Sequence, residues 1–388
     1  MWGAEALKRD FETSIVTSST LNLGAMNEFY GTSLGEEEIT LRRLVTPPLL
    51  ARLSGAAALR GAFFQRTVRS IADEYDMLIS GYNLCDFGAP GIHRISDFSW
   101  DEELRTKHDP APSGIRGIFH RHLWLRRAYL ALGRRVQMSS SRNLFSGEDL
   151  ILANSQWTAQ ILRDRYGAAS EVLYEPVTGE FPDVPRERRS DDFACIGRIS
   201  PEKRIERMIR MVGVVRSRGH NVRIRIIGPL DNSPYSKRIG SLALGHPEWV
   251  LLEGSRAGED KLRILTDCRY GIHARKGEAF GIAVAEMVKA GCITFAPAEG
   301  GPAEILDHDS LLYRDEDDAV EKICAVLSRP ALQASLLEHL WRQAEKFSAE
   351  NFMRDFRAAV EKFLAKSSLS AGASMAACGP ARSLQAPL

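Results

Sequence analysis

The chain has 388 residues, with 51 Lys and Arg against 50 Asp and Glu and 44% hydrophobic residues. That length suffices for two domains with separate cores, and a net charge of +1 supplies no global field for recruiting nucleic acid, so no nucleic-acid partner is expected without a local patch. The six cysteines, Cys85, Cys195, Cys268, Cys292, Cys324 and Cys378, show no CxxC or metal-ligand spacing and read as small buried hydrophobes of a reducing compartment. No signal-peptide core opens the sequence and no apolar run approaches the roughly 20 residues that span a bilayer. A cytoplasmic chain is expected, peripheral at the inner face of a membrane if it touches one.

In chain order, Gly3 to Lys8 reads as a helix start and Thr13 to Thr17 as a strand. Residues 42–72 are helix-rich, Met77 to Ser80 is a strand, and Ile92-His93-Arg94-Ile95 is another, leading into Ser96-Asp97. Ser113 to Val136 carries Arg116, Arg121, Arg126, Arg127, Arg134 and Arg135 with no acid among them, interleaved with Phe119, Trp124 and Tyr129. Such a helix can lie on an anionic membrane or grip a phosphorylated acceptor; equally, its apolar stripe can pack on its own domain with the arginines solvated. Asp149 to Ser155 is a buried strand with a polar end, and Ser155 suits the N-cap of a helix running to Tyr166-Gly167. Pro182, Pro185 and the charged run 186–192 mark a linker.

Phe193 to Arg198 is a strand running into a loop, and Pro201 suits the first turn of the helix that follows. Arg223 to Gly228 and Val250 to Gly254 are further strands, with Ser255-Arg256 just beyond the second. The stretch from Gly271 to Gly301 then reads as strand, loop, helix, strand and loop. Its helix is expected to open near Glu278 and to stop at Gly291. Glu286 lies about two turns beyond Glu278. At such a helix mouth the amides of Ala279, Phe280, Gly281 and Ile282 can hold a phosphate, and Glu286 can accept from a ribose diol. A capping Glu278 and a solvated Glu286 is the other reading of the same spacing. Cys292 to Ala296, Glu304-Ile305 and Leu311 to Tyr313 are expected to complete the sheet, with Asp315 to Asp318 capping a helix. The alternation of strand, loop and helix argues for an open parallel α/β sheet with ligand at the C-terminal strand ends.

Glu278-Ala279-Phe280-Gly281-Ile282, Glu286 and Gly291 resemble the E-x7-E block of the retaining nucleotide-sugar glycosyltransferases of family 4, which have the two-domain GT-B fold. The wider string, adding Gly271-Ile272-His273 and Gly300-Gly301-Pro302, is most similar to the branch that extends the dolichol-linked oligosaccharide from GDP-mannose. The resemblance covers roughly residues 145–365 well and the earlier part loosely. It implies two Rossmann-like domains facing across a cleft: residues 1–183 on the acceptor side and 184–349 holding the nucleotide-sugar. A helix over 350–366 crosses back to the first domain, and a disordered tail follows over 367–388. In the family a strand and a glycine-rich loop precede the first helix, and Gly3-Ala4-Glu5 is similar only to the tail of that loop. The first domain is therefore expected to lack its central strand.

The resemblance further implies that Arg198 and Lys203, in a G-R-x-x-x-E-K element, stabilise the departing diphosphate, as a guanidinium and an ammonium can. Gly228 would let the nucleoside approach, Arg256 would contact the base, and His273 would line the sugar pocket. Glu278 with Phe280, Gly281 and Ile282 would meet donor sugar and phosphate, and Glu286 the ribose. Family members carry a histidine facing the donor sugar; His93 is the candidate, and another alignment puts Ser96 there with Asp97 beside it. No metal ligand set and no cofactor is implied, only a nucleotide-sugar donor, with GDP-sugar favoured over UDP-sugar. The expected function is retaining transfer of a hexose, mannose favoured, to a glycan or lipid-linked acceptor. A non-catalytic nucleotide-sugar-binding GT-B protein with a degenerate first domain is the alternative.

Overall fold

The computed structural model describes residues 1–48, 50, 57–108, 129, 131–133, 135–137 and 142–377. The first half contains α1 (Trp2–Leu7), β1 (Thr13–Thr17), α2 (Leu23–Tyr30), β2 (Ile39–Arg43), α3 (Ala57–Ser70), β3 (Ile79–Ser80), β4 (Ile92–Ile95), α4 (Glu102–His108), β5 (Leu150–Ala153), α5 (Gln156–Tyr166) and β6 (Glu171–Val172). The second half runs β7 (Ser190–Ile196), α6 (Ile205–Ser217), β8 (Arg223–Ile227), α7 (Pro234–Gly245), β9 (Val250–Gly254), α8 (Gly258–Asp267), β10 (Cys268–Ile272), α9 (Ile282–Lys289), β11 (Ile293–Pro297), α10 (Pro302–Leu306), β12 (Leu312–Tyr313), α11 (Glu316–Leu327) and α12 (Pro330–Glu345). α13 (Ala349–Ala377) follows.

The second half is a six-stranded parallel sheet in the order β12-β11-β10-β7-β8-β9. Its central strands are continuous apolar runs, as a sheet covered on both faces requires. Phe193, Ala194, Ile293, Phe295 and Ala296 are fully buried, and each large side chain among them contributes roughly 1.5–3 kcal/mol by burial. The strand order reverses direction between β7 and β10, so their C-terminal ends open the crevice where such sheets bind ligand.

In the first half the sheet is in two pieces. β3-β4-β5-β6 is parallel and four-stranded, and β1 pairs in parallel only with β2, Ile15 opposite Leu41. Among the described residues, no strand joins these two pieces. α13 lays Phe352, Phe356 and Val360 onto Ala6, Leu7, Ile92 and Leu152. It joins the end of the chain to the first sheet, and Arg357 Nε donates to the Ala6 carbonyl at 2.5 Å.

Three elements differ from the sequence reading. Ile39 to Arg43, expected to border a helical region, is a strand. Glu304-Ile305, expected as strand, lies in α10, where Pro302 fixes the first turn and Asp307 ends the helix in the left-handed region. α13 continues to Ala377 through Ala-, Leu- and Met-bearing sequence of good helix propensity, where disorder was expected from residue 367. The basic stretch 113–136 lies mostly outside the described residues, as do Cys378 and residues 378–388. Cys85, Cys195, Cys268 and Cys292 are buried free thiols. Among the described residues, no helix is long and apolar enough to cross a membrane.

Candidate functional site

A cleft of about 850 Å³ separates the two halves. Its second-half wall carries Lys203, Arg256, Lys261, Arg275, Glu278 and Glu286, and its first-half wall Tyr82, Arg94, Ser96 and Asp97.

Glu278 is the electrostatic centre of the second wall. Lys203 Nζ donates to both its oxygens, at 3.1 and 2.9 Å. His273 Nε2 lies 3.1 Å from Oε2, and Arg275 reaches within 3.7 Å of Oε1. Burial alone would push the Glu278 carboxyl up; His273, Lys203 and Arg275 outweigh it and hold the group well below the usual carboxylate range. Burial likewise lowers His273, against the pull of Glu278, so the ring is neutral at pH 7. The Tyr313 hydroxyl donates to the His273 carbonyl and fixes that peptide.

The backbone around Glu278 is a turn rather than the expected first helical turn. α9 begins at Ile282, and its N-cap Gly281 has φ +102°, a conformation that disfavours any residue with a Cβ. Glu278 therefore precedes the helix mouth and approaches it from the side. The amides of Ile282 and Ala283 open α9, where no earlier turn supplies carbonyl partners. Gly301 allows the close packing: a Cβ there would sit 2.4 Å from the Ala279 carbonyl oxygen and 2.6 Å from the Phe280 Cα. Glu286, one turn into α9, faces the same cleft, where Lys261 Nζ donates to it at 2.7 Å.

The structure brings Lys203, Arg256, Glu278, Phe280, Gly281, Ile282 and Glu286 to one cavity. His273 lies one layer behind, 3% exposed, against Glu278. Gly228 is a packing position: a Cβ on it would come 1.9 Å from the Gly197 carbonyl oxygen, so its glycine keeps two loop backbones in contact. Arg198 does not line the cleft; its side chain is 76% exposed and lies 3.4 Å from Glu202. His93, the candidate catalytic group, does not line the cleft. It is fully buried, its Nδ1 accepts from the Cys85 amide at 3.3 Å, its Nε2 lies 3.2 Å from Asp149, and it stacks on Phe87. The alternative alignment fits the geometry better, since Ser96 and Asp97 line the first wall. Asp97 there accepts from Asn83 at 2.7 Å and from the Tyr82 hydroxyl. Sequence reasoning passed over Arg275 and Lys261, two cations of the cleft. Arg275 had a signal, its place in the turn leading to Glu278; Lys261, on a different helix, had none.

Residues 180–346 match the family model described as glycosyl transferases group 1. The human GDP-Man:Man(3)GlcNAc(2)-PP-Dol alpha-1,2-mannosyltransferase is 25% identical over 241 residues, 56% of this chain and 49% of the relative. The human alpha-1,3/1,6-mannosyltransferase ALG2 is 26% identical over 247 residues, 56% of this chain and 59% of the relative. The chain thus spans about half the length of the curated relatives it matches. Among solved structures, the sucrose-phosphate synthase of Thermosynechococcus elongatus superposes with a TM-score of 0.68 at 12% identity, covering 94% of this chain and 92% of that one. Anabaena Alr3699/HepE in complex with UDP-glucose gives 0.63 at 15% identity over 93% and 95%. Nearly the whole chain is aligned in these superpositions, so they bear on the fold of both halves, whereas the family match bears on the second half. This chain has the GT-B fold, and the glycosyl transferases group 1 model matches its second half, residues 180–346.

Proposed function

We propose that the chain is a glycosyltransferase that moves a hexose, mannose by preference, from a GDP-linked donor to a glycan or lipid-linked acceptor. The observation that carries this reading is the convergence of Lys203, Arg275 and the amides opening α9 around Glu278, with Glu286 on the same cleft. A leaving nucleoside diphosphate develops negative charge, and preorganised cations and amides aimed at it lower the barrier. Glu286, released from Lys261, accepts from the ribose hydroxyls. The choice of GDP-mannose is supported by the human and mouse alpha-1,2-mannosyltransferases, whose names carry GDP-Man.

In this reading the donor lies on the second wall and the acceptor hydroxyl arrives from the side of Ser96 and Asp97. Transfer proceeds with retention, the acceptor proton passing to the departing phosphate oxygen on the same face, and with no metal requirement. Closure of the cleft excludes water and limits donor hydrolysis. The basic stretch 113–136 would hold the enzyme against an anionic membrane at its cytoplasmic face. This part rests on the sequence alone, and unchanged vesicle binding after Arg→Gln replacement through the stretch would remove it.

The test is transfer of labelled mannose from GDP-mannose to a lipid-linked oligosaccharide, with and without EDTA, and the product anomer read by NMR. An α-linked product, insensitive to EDTA, supports the full reading. Transfer from UDP-glucose alone would replace the donor assignment. A second reading, nucleotide-sugar binding without transfer, is favoured by the burial of His93 away from the cleft and by the divided first sheet. Nucleotide binding with no transfer to any acceptor would select it.

A further inference from the structure

Glu304, on α10 of the second half, places its carboxylate on the N-terminus of α5 in the first half. Its two oxygens accept from the Gln156 amide at 2.8 Å and the Trp157 amide at 2.6 Å, and the Tyr174 hydroxyl lies 3.3 Å away. A helix N-terminus attracts an anion, and here the chain supplies one from its other half. From the same cap, Ser155 Oγ accepts the Thr158 amide at 2.9 Å and donates to the Ala279 carbonyl at 2.5 Å, with Thr158 Oγ1 at 3.3 Å from that oxygen. Ser155 and Thr158 are fully buried.

Ala279 directly follows Glu278. The Glu278 carbonyl itself accepts from the Gly301 amide at 2.8 Å, and Gly301 is the N-cap of the helix that carries Glu304. Two successive peptides at the centre of the donor wall are thus held from opposite halves, one by Gly301 and one by Ser155. Burial pushes the Glu304 carboxyl up, and the amides of Gln156 and Trp157 offset that cost. Without the carboxylate, the exposed Gln156 amide and the part-buried Trp157 amide both lose a charged acceptor at the helix N-terminus.

We propose that Glu304 and Ser155 are positioning residues that lock the Glu278 loop to the first half of the molecule, setting the distance between donor and acceptor walls. They touch neither nucleotide nor acceptor, so they govern transfer rather than nucleotide affinity. The effect on transfer rests on the function proposed above; the lock itself does not.

The experiment compares wild type with Glu304→Gln, Glu304→Ala and Ser155→Ala by amide hydrogen exchange, GDP titration and mannosyl transfer per folded molecule. Exchange at residues 155–158 and 278–281 is expected to accelerate by at least about tenfold in Glu304→Ala, which removes both carboxylate acceptors. The GDP dissociation constant is expected to stay within about twofold while kcat falls on the order of tenfold to a hundredfold, the scale of a misplaced reacting geometry. Glu304→Gln, which keeps one carbonyl acceptor, is expected to lie between wild type and Glu304→Ala in both readouts. Unchanged exchange in Glu304→Ala, unchanged kcat per folded molecule, or GDP affinity lost in parallel with kcat would each overturn the proposal. Should wild type transfer nothing, the functional reading fails, and the exchange at 278–281 alone decides the lock.

Discussion

Lys203 Nζ stands 2.9 Å from Glu278 Oε2, an ammonium from the loop after β7 on a carboxylate from the loop after β10. β7 and β10 are neighbours in the six-stranded sheet, so the pair is delivered by two adjacent strand ends and closes the crevice floor. Its partners are mostly buried, 14% and 17% exposed; removal of Glu278 takes from Lys203 the carboxylate it is paired with, whereas Glu278 without Lys203 keeps Arg275 within 3.7 Å.

Lys203→Met and Glu278→Gln are each expected to lower transfer by about 10²–10³, the range for loss of one preorganised charge at a reacting centre. The double variant should cost far less than the product of the two, because they act on one another. Initial rates on the four proteins check this; strictly multiplicative effects would show that the pair is not one unit.

Glu286→Ala is expected to weaken nucleotide binding about tenfold, the worth of one or two charge-assisted hydrogen bonds. The same variant should no longer discriminate GDP from its 2′-deoxy form. If it discriminates as well as wild type does, Glu286 is not on the ribose.

Acid stability should fall in two stages of the same sign. Burial lowers His273 from its ordinary 6.5, so below that pH the unfolded chain takes up a proton the folded chain refuses, and stability drops as pH falls from about 6.5. Glu278 is held far below its ordinary 4.5; its contribution is complete above about 4.5 and is lost as pH falls through the lower folded value. Urea unfolding from pH 8 down to about 2.5 should show both limbs, and His273→Gln should lack the first.

His93→Ala should cost about 2–4 kcal/mol of stability, through the cavity and the loss of a buried polar partner for Asp149. Transfer per folded molecule should change by less than about threefold, because His93 does not reach the cleft. A large loss of kcat with little loss of stability would restore the catalytic assignment.

The sequence was most legible where function is local. Glu278, Phe280, Gly281, Ile282 and Glu286 share one short stretch, and Lys203 follows β7 within a few residues, so residue identity and a strand end were enough to place them. What failed depended on direction or on distant contacts. The turn at Glu278 looks helical from Glu, Ala and Phe; its actual shape comes from the positive φ of Gly281 and from Gly301 packing onto Ala279 and Phe280, more than twenty residues away in the chain. His93 and Arg198 sit at plausible strand ends, but one points into the core onto Asp149 and the other into solvent beside Glu202. β2 was missed because the arginines of Thr40-Leu41-Arg42-Arg43 weaken its apolar signal, although the strand is only partly buried. The Glu304 contact joins residues 148 apart, which no local pattern reveals.

The central claim is that the second-half wall around Glu278 and Glu286 holds a nucleoside diphosphate. Calorimetric titration of GDP and UDP into wild type, Lys203→Met and Glu286→Ala tests it most directly. The account predicts binding of GDP in preference to UDP, weakened in both variants while their folding is intact. Folded wild-type protein that binds neither nucleotide, or binds one with equal affinity in all three forms, would contradict it.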